Sequence, residues 1–253
     1  MRLALMRAVP DSFTEALVRG ERPPIDIDEA RRQHDTYRAV LEDAGYRVKM
    51  LPTDESHPDC PFVEDAAVVL GGTAVLTRPG APSRRGEVLP VAEALESHLS
   101  VVAIEEPGTL DGGDVMRMGD AVFVGRSERS NEDGISQLKA IAHGQGLTAT
   151  PVDLAGVLHL KSAVLPLDHE TVLMAPRHVD ESAFNAYNVI PKARGEEHLA
   201  SALPLADGRV MVTVTAPRTI TELESAGYHV IAVDTSQFQA ADGGLTCLSI
   251  LLD

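Results

Sequence analysis

The feature that most constrains this chain is a degenerate repeat. An apolar hairpin, an amphipathic helix and one more apolar strand recur in that order along 253 residues. In the clearest copy, residues 65–77 (DAAVVLGGTAVLT) read as two strands around a Gly71-Gly72 turn, a hairpin signature. A Ser-led amphipathic helix at 83–97 and a short strand at 101–104 follow. The second copy has a hairpin at 114–125 turning at Gly119-Asp120. Its helix is capped by Asn131, with Ile135, Leu138 and Ile141 at helical spacing, and a strand lies at 148–154. The third runs from 158 through a helix near 180–187 to Val189-Ile190. The fourth runs from about 200 through a helix near 219–226 to a strand at 228–234. The two chain ends supply the fifth: 244–252 (GLTCLSILL) pairs with 2–8 (RLALMRA), followed by a helix at 28–44 and a strand at 46–52. An arginine closes the second strand of each copy, at Arg7, Arg78, Arg126, Arg177 and Arg218.

Five ββαβ modules closed through the two termini predict an α/β ring, a propeller with pseudo-fivefold symmetry. No Gly/Ser/Pro-rich linker or charge run divides the chain, so a single domain spanning 1–253 is expected. Closure also explains why the sequence ends on an apolar strand, because the first strand covers that edge. The competing architecture is an open doubly wound sheet, which the double strand before each helix does not suit.

Composition narrows the partners. With 38 acidic against 22 basic residues and a formal charge of −16, the surface field repels nucleic acid and anionic membrane and attracts small cations. No apolar run approaches the ~18 residues of a membrane span, and residues 1–10 lack a secretory pattern. Two cysteines, Cys60 and Cys247, make no disulfide framework, so a soluble cytoplasmic protein is expected. A homodimer is compatible with the sequence. With no Trp and nine Phe or Tyr residues, the core must be mainly aliphatic.

In a closed ring the hairpin starts crowd around the axis. Those starts carry Glu64-Asp65, Asp111 to Asp114, His159 and Cys247, four titratable positions in five modules. Singly, each has an ordinary reading. Cys247 sits in an apolar strand and resembles an inert buried thiol. His159 could be a core histidine, and DGGD at 111–114 could be a plain turn. Together they form a nucleophile, a proton carrier and carboxylates at equivalent places. Arg84 and Arg85 fall in the first turn of the helix at 83–97, where cations oppose the macrodipole at a cost of up to ~1 kcal/mol. Such a violation marks a candidate site. Arg129 stands similarly just before the Asn131 cap, and arginine's planar fork suits a carboxylate partner.

Several segments, in order along the whole chain, resemble dimethylarginine dimethylaminohydrolases. These are PDCPFVEDAAVV (58–69), RPGAPSRRGE (78–87), GTLDGGDVMRMGD (108–120), GRSERSNEDG (125–134), VLHLKS (157–162) and VIAVDTS followed by DGGLTCLS. That family belongs to the guanidino-group-modifying enzymes, built as five-bladed α/β propellers (the pentein fold). The resemblance implies Cys247 as nucleophile and His159 as proton donor and later general base, with Asp111 beside the histidine. It implies Glu64 and Asp65 at the guanidinium, and Arg84 and Arg129 at the substrate α-carboxylate. Leu17, Asp59 and Ala241 would meet the amino-acid end, Leu17 and Ala241 through backbone. Cys60 matches no family role and reads as structural.

The implied reaction converts asymmetric dimethylarginine or monomethylarginine to L-citrulline and an amine, through a thiouronium on Cys247 and without a cofactor. The partner is a small cationic amino acid. Alternatives are a deiminase or amidinotransferase acting on arginine, agmatine or another guanidine, and a non-catalytic amino-acid-binding module. Cys247 and His159 alone lack structural-zinc spacing, so zinc is expected only as an adventitious inhibitor on the thiol.

Overall fold

The computed structural model describes residues 2–21 and 23–252. Its strands, in chain order, are β1 Leu3–Arg7, β2 Arg47–Leu51, β3 Ala67–Leu70, β4 Thr73–Leu76, β5 Ser100–Ala103, β6 Val115–Met118, β7 Ala121–Arg126, β8 Thr148–Asp153, β9 Val164–Pro166, β10 Thr171–Met174, β11 Asn188–Pro191, β12 Ala202–Pro204, β13 Val210–Thr213, β14 Val230–Val233 and β15 Ile250–Leu252. The α-helices are α1 Ile27–Asp43, α2 Val88–Leu95, α3 Glu132–Gly144, α4 Leu160–Ala163, α5 Pro217–Ser225 and α6 Ser236–Gln239.

The strands form five separate three-stranded sheets: β15-β1-β2, β3-β4-β5, β6-β7-β8, β11-β10-β9 and β12-β13-β14. In each, the central strand pairs antiparallel with the strand before it and parallel with the one after the crossover, so the open doubly wound sheet is excluded. The termini join as expected, with Leu3 opposite Leu252 and Leu5 opposite Ile250.

Two compact units are present, residues 1–63 with 193–253, and residues 64–192. In the first, the amphipathic face of α1 (Ala30, Tyr37, Leu41) packs with Met6, Phe13, Phe62, Phe238 and Leu248. In the second, one core gathers Val75, Leu110, Val122, Ile135 and Leu138; another gathers Met116, Phe123, Leu160, Val172 and Phe184. The recurrent arginines have a common task in three modules, tying the end of the central strand to the exit of the third. Arg7 donates to Pro52 O and Asp54, Arg78 to Gly108 O, and Arg126 to Asp153.

Three expected elements differ. The helix near 180–187 is a single 3-10 turn, Glu181–Phe184, capped by Asp180. The short span before β11, with Asn185 as a weak helix former, leaves room for no more. The helix at 83–97 starts as a 3-10 segment, Pro82–Glu87, and becomes α-helical only at Val88. Cys247 does not lie in the terminal strand; it occupies a 3-10 turn, Thr246–Leu248, and the strand begins at Ile250.

Candidate active site

That last difference exposes a rule. In four modules a short helical turn precedes the first strand and holds or directly follows a predicted site residue. The turn Val63–Ala66 holds Glu64 and Asp65, Gly112–Asp114 follows Asp111, α4 follows His159, and Thr246–Leu248 holds Cys247. A helical turn at the start of a hairpin aims its side chains off the sheet rather than into either face.

In the unit of residues 64–192, His159 is 6% exposed and Asp111 fully buried. His159 Nε2 lies 3.1 Å from Asp111 Oδ2, whose other oxygen accepts the Gly80 amide at 2.8 Å. Burial alone lowers the His159 pKa, but Asp65, the Asp111 hydrogen bond and Asp114 outweigh it and raise the value to about 9. The ring is therefore an imidazolium at neutral pH. Burial pushes the Asp65 carboxyl up, yet His159 and Arg84 together hold it below the usual range.

Close backbone approach explains the two glycines of DGGD. A Cβ on Gly112 would stand 1.9 Å from Glu64 O, and one on Gly113 would stand 2.7 Å from His159 Nδ1 and 3.0 Å from Asp65 Oδ1. The Gly113 amide donates to Asp65 Oδ1 at 2.9 Å. Glu64 accepts from Lys161 Nζ at 2.5 Å, and the same ammonium reaches Gly112 O at 3.2 Å.

Arg84 is 4% exposed. Its Nη1 donates to Asp65 Oδ2 at 2.5 Å, and its Nε and Nη2 donate to Glu87. Two buried carboxylates thus balance a charge that looked unfavourable at a helix start. Arg129 places Nη1 3.9 Å from Asp111 Oδ2. Asp65, Asp111 and His159 offer ligand atoms within 4.8 Å of one another, a spacing that could hold a metal ion. Both carboxylates are already engaged, Asp65 by Arg84 and the Gly113 amide and Asp111 by the Gly80 amide.

The unit of residues 1–63 and 193–253 holds the other predicted residues. Asp59 is buried and accepts the Leu17 amide at 3.0 and 3.3 Å. Ala241 is buried and precedes Asp242, which adopts a left-handed φ of 58° and accepts the Arg19 amide at 2.6 Å. The segment 17–19 is therefore tied to Asp59 at Leu17 and to Asp242 at Arg19. Cys247 is partly exposed, and its Sγ accepts the Gly244 amide at 3.4 Å. Cys60 is buried against Asp54 O.

Asp114 lies in the DGGD segment that the sequence singles out, but Glu87, Lys161, Ser127 and Ser130 are not singled out. Only the Arg84-Glu87 spacing and the Ser-rich GRSERS segment hinted at them.

Comparison with known proteins places this arrangement. A family model described as N,N dimethylarginine dimethylhydrolase, eukaryotic, matches residues 3–222. An N(G),N(G)-dimethylarginine dimethylaminohydrolase of Pseudomonas aeruginosa is 35% identical over 248 residues, covering 97% of each chain. The chain belongs to the dimethylarginine dimethylaminohydrolase family. A dimethylarginine dimethylaminohydrolase of Streptomyces coelicolor is 38% identical over 252 residues, covering 98% of this chain and 96% of its own. Among solved structures, a cysteine-to-serine mutant of the Pseudomonas aeruginosa dimethylarginine dimethylaminohydrolase, complexed with citrulline, superposes with a TM-score of 0.92 at 34% identity over 98% of both chains. A histidine-to-glycine dimethylarginine dimethylaminohydrolase, as an adduct with S-methyl-L-thiocitrulline, gives 0.94 at 34% identity and the same coverage. The N-terminal domain of a cyanobacterial arginine dihydrolase gives 0.87 at 20% identity and speaks for the fold alone. The fold is the five-bladed α/β propeller of the penteins, as the repeat predicted.

Proposed function

We propose that this protein hydrolyses N-omega-methylated arginines to L-citrulline and dimethylamine or monomethylamine through a covalent intermediate on Cys247. The observation that carries this reading is the buried pair of His159 and Asp111, 3.1 Å apart, beside the Asp65–Arg84 ion pair. An amine departing from a guanidinium carbon needs a proton, and His159 supplies it.

Cys247 Sγ gives up its proton to solvent as the cationic guanidinium binds, and the thiolate attacks the guanidinium carbon, forming a C–S bond. The C–N bond to the methylated nitrogen then breaks, its electron pair taking the His159 proton as the amine leaves. An S-alkylthiouronium remains. His159, now neutral, takes a proton from water; the resulting hydroxide adds to the same carbon, and the C–S bond breaks as the carbonyl of citrulline forms, the hydroxyl proton passing to the departing sulfur. Asp111 keeps the ring oriented through both half-reactions. Glu64 and Asp65 hold the planar cation. Arg129 binds the α-carboxylate together with Arg84, which also fixes Asp65. Asp59 and the backbone of Leu17 and Ala241 hold the amino end. The chemistry needs no cofactor, and zinc on the Cys247 thiol would inhibit it. Charge supports the substrate class, since a net −16 favours approach of a cation.

Parallel incubation with asymmetric dimethylarginine, monomethylarginine and arginine tests the reading. Citrulline with one equivalent of methylated amine is expected. Ammonia from arginine as the main product would instead indicate a deiminase, and binding without turnover a non-catalytic module.

A further inference from the structure

We propose that Asp114 is a positioning residue that sets the His159 backbone, Asp111 and Arg129 in one fixed arrangement through Ser127 and Ser130. The role rests on the functional reading above and adds a residue that touches neither substrate nor reacting atoms.

Asp114 is fully buried at the end of the turn that follows Asp111. Its Oδ1 accepts the Leu160 amide at 3.0 Å, the first N–H of the helical turn that begins after His159. Its Oδ2 accepts two hydroxyls, Ser127 Oγ at 2.5 Å and Ser130 Oγ at 2.6 Å. Each serine passes the constraint on. Ser130 Oγ accepts the Asp111 amide at 3.1 Å. Ser127 Oγ accepts the Arg129 amide at 3.0 Å and the Ser130 amide at 3.2 Å. One carboxylate therefore fixes the backbone beside the proton donor, beside its carboxylate partner and at the arginine proposed for the substrate carboxylate.

Packing alone gives little reason for a charge here. A buried carboxylate carries a desolvation penalty that an apolar side chain of similar size would avoid. The protein keeps it with three donors converged on two oxygens, an arrangement that suits the ionised form. Such a network specifies geometry more than it adds stability.

The three contacts separate by substitution. Ser130→Ala frees the Asp111 amide and is expected to lower kcat roughly tenfold, the scale of one hydrogen bond to a charged group, with KM nearly unchanged. Ser127→Ala frees the Arg129 amide and is expected to raise KM by a similar factor, with a smaller loss in kcat through Ser130. Ser127→Thr, which keeps the hydroxyl, should restore most of it. Asp114→Asn should combine both effects, with kcat/KM down roughly 100-fold. Amide hydrogen exchange gives a readout independent of turnover: protection should fall at Asp111 in Ser130→Ala, at Arg129 in Ser127→Ala, and at Asp111, Arg129 and Leu160 in Asp114→Asn. If the exchange pattern of Asp114→Asn matches wild type, or if all three variants lose activity only in proportion to unfolded protein, the proposal is overturned. If wild type turns over a different guanidine, the functional reading fails. The exchange pattern and the kcat-against-KM split on that guanidine still decide the role of Asp114.

Discussion

Replacing Gly113 with alanine should damage catalysis far more than stability. The added Cβ would lie 2.7 Å from His159 Nδ1, 2.9 Å from its Cγ and 3.0 Å from Asp65 Oδ1, whereas ordinary contact begins at 3.4 Å. The ring must therefore retreat by about 0.7 Å, the difference between 3.4 and 2.7 Å. It cannot simply swing aside, because Nε2 is bound to Asp111 and the next residue, Leu160, is fixed by Asp114. A displacement approaching 1 Å of a catalytic group lowers kcat/KM by roughly 30- to 100-fold. Steady-state citrulline formation from asymmetric dimethylarginine measures this, with circular dichroism verifying the folded fraction. Gly72→Ala is the control, since a Cβ there meets nothing within 4 Å. A folded Gly113→Ala protein with kcat/KM within about threefold of wild type would refute the claim that this glycine sets the histidine.

Other outcomes follow from the same geometry. Cys247→Ser should abolish turnover while leaving the thermal transition near that of wild type; near-normal activity would end the nucleophile assignment. His159 gains its proton in the folded state, so its contribution to stability is complete below ~6.5 and is lost as pH rises through about 9. An imidazole NMR titration should find its midpoint well above the ordinary histidine value. His34 has the opposite sign. Burial lowers its pKa to about 4, so its protonation favours the unfolded chain as pH falls from ~6.5 toward 4. The effect reaches about 3 kcal/mol at full protonation. The wild-type melting temperature should then fall more steeply over that range than that of His34→Leu, and equal slopes would contradict the assignment.

The fold was legible because its signals are local. Period-two strands around Gly71 and Gly119, and caps such as Asn131 accepting the Gly134 amide, repeat often enough to reveal five copies. The third helix failed because a cap at Asp180 starts a helix but cannot lengthen one between closely spaced strands. The position of Cys247 was misread because an apolar run shows no boundary between a 3-10 turn and the strand after it. The compensation for Arg84 at a helix start was hidden for another reason: its partners, Asp65 and Glu87, meet it only on folding. Asp114 stood out at a hairpin start, but its grouping with Ser127 and Ser130 was illegible for the same reason. Its members are Asp, Ser and Ser, residues equally common in turns, and only their shared burial distinguishes them.

The central claim is that Cys247 forms a covalent bond to the guanidinium carbon. It is tested most directly with His159→Gly protein and S-methyl-L-thiocitrulline, whose thiolate leaving group depends far less on a proton than an amine does. Mass spectrometry of the digested protein should find the thiouronium adduct on the Cys247 peptide. Loss of that peptide's adduct in the additional Cys247→Ser variant would complete the result. An unmodified Cys247 peptide, or an adduct carried by Cys60 instead, would contradict it.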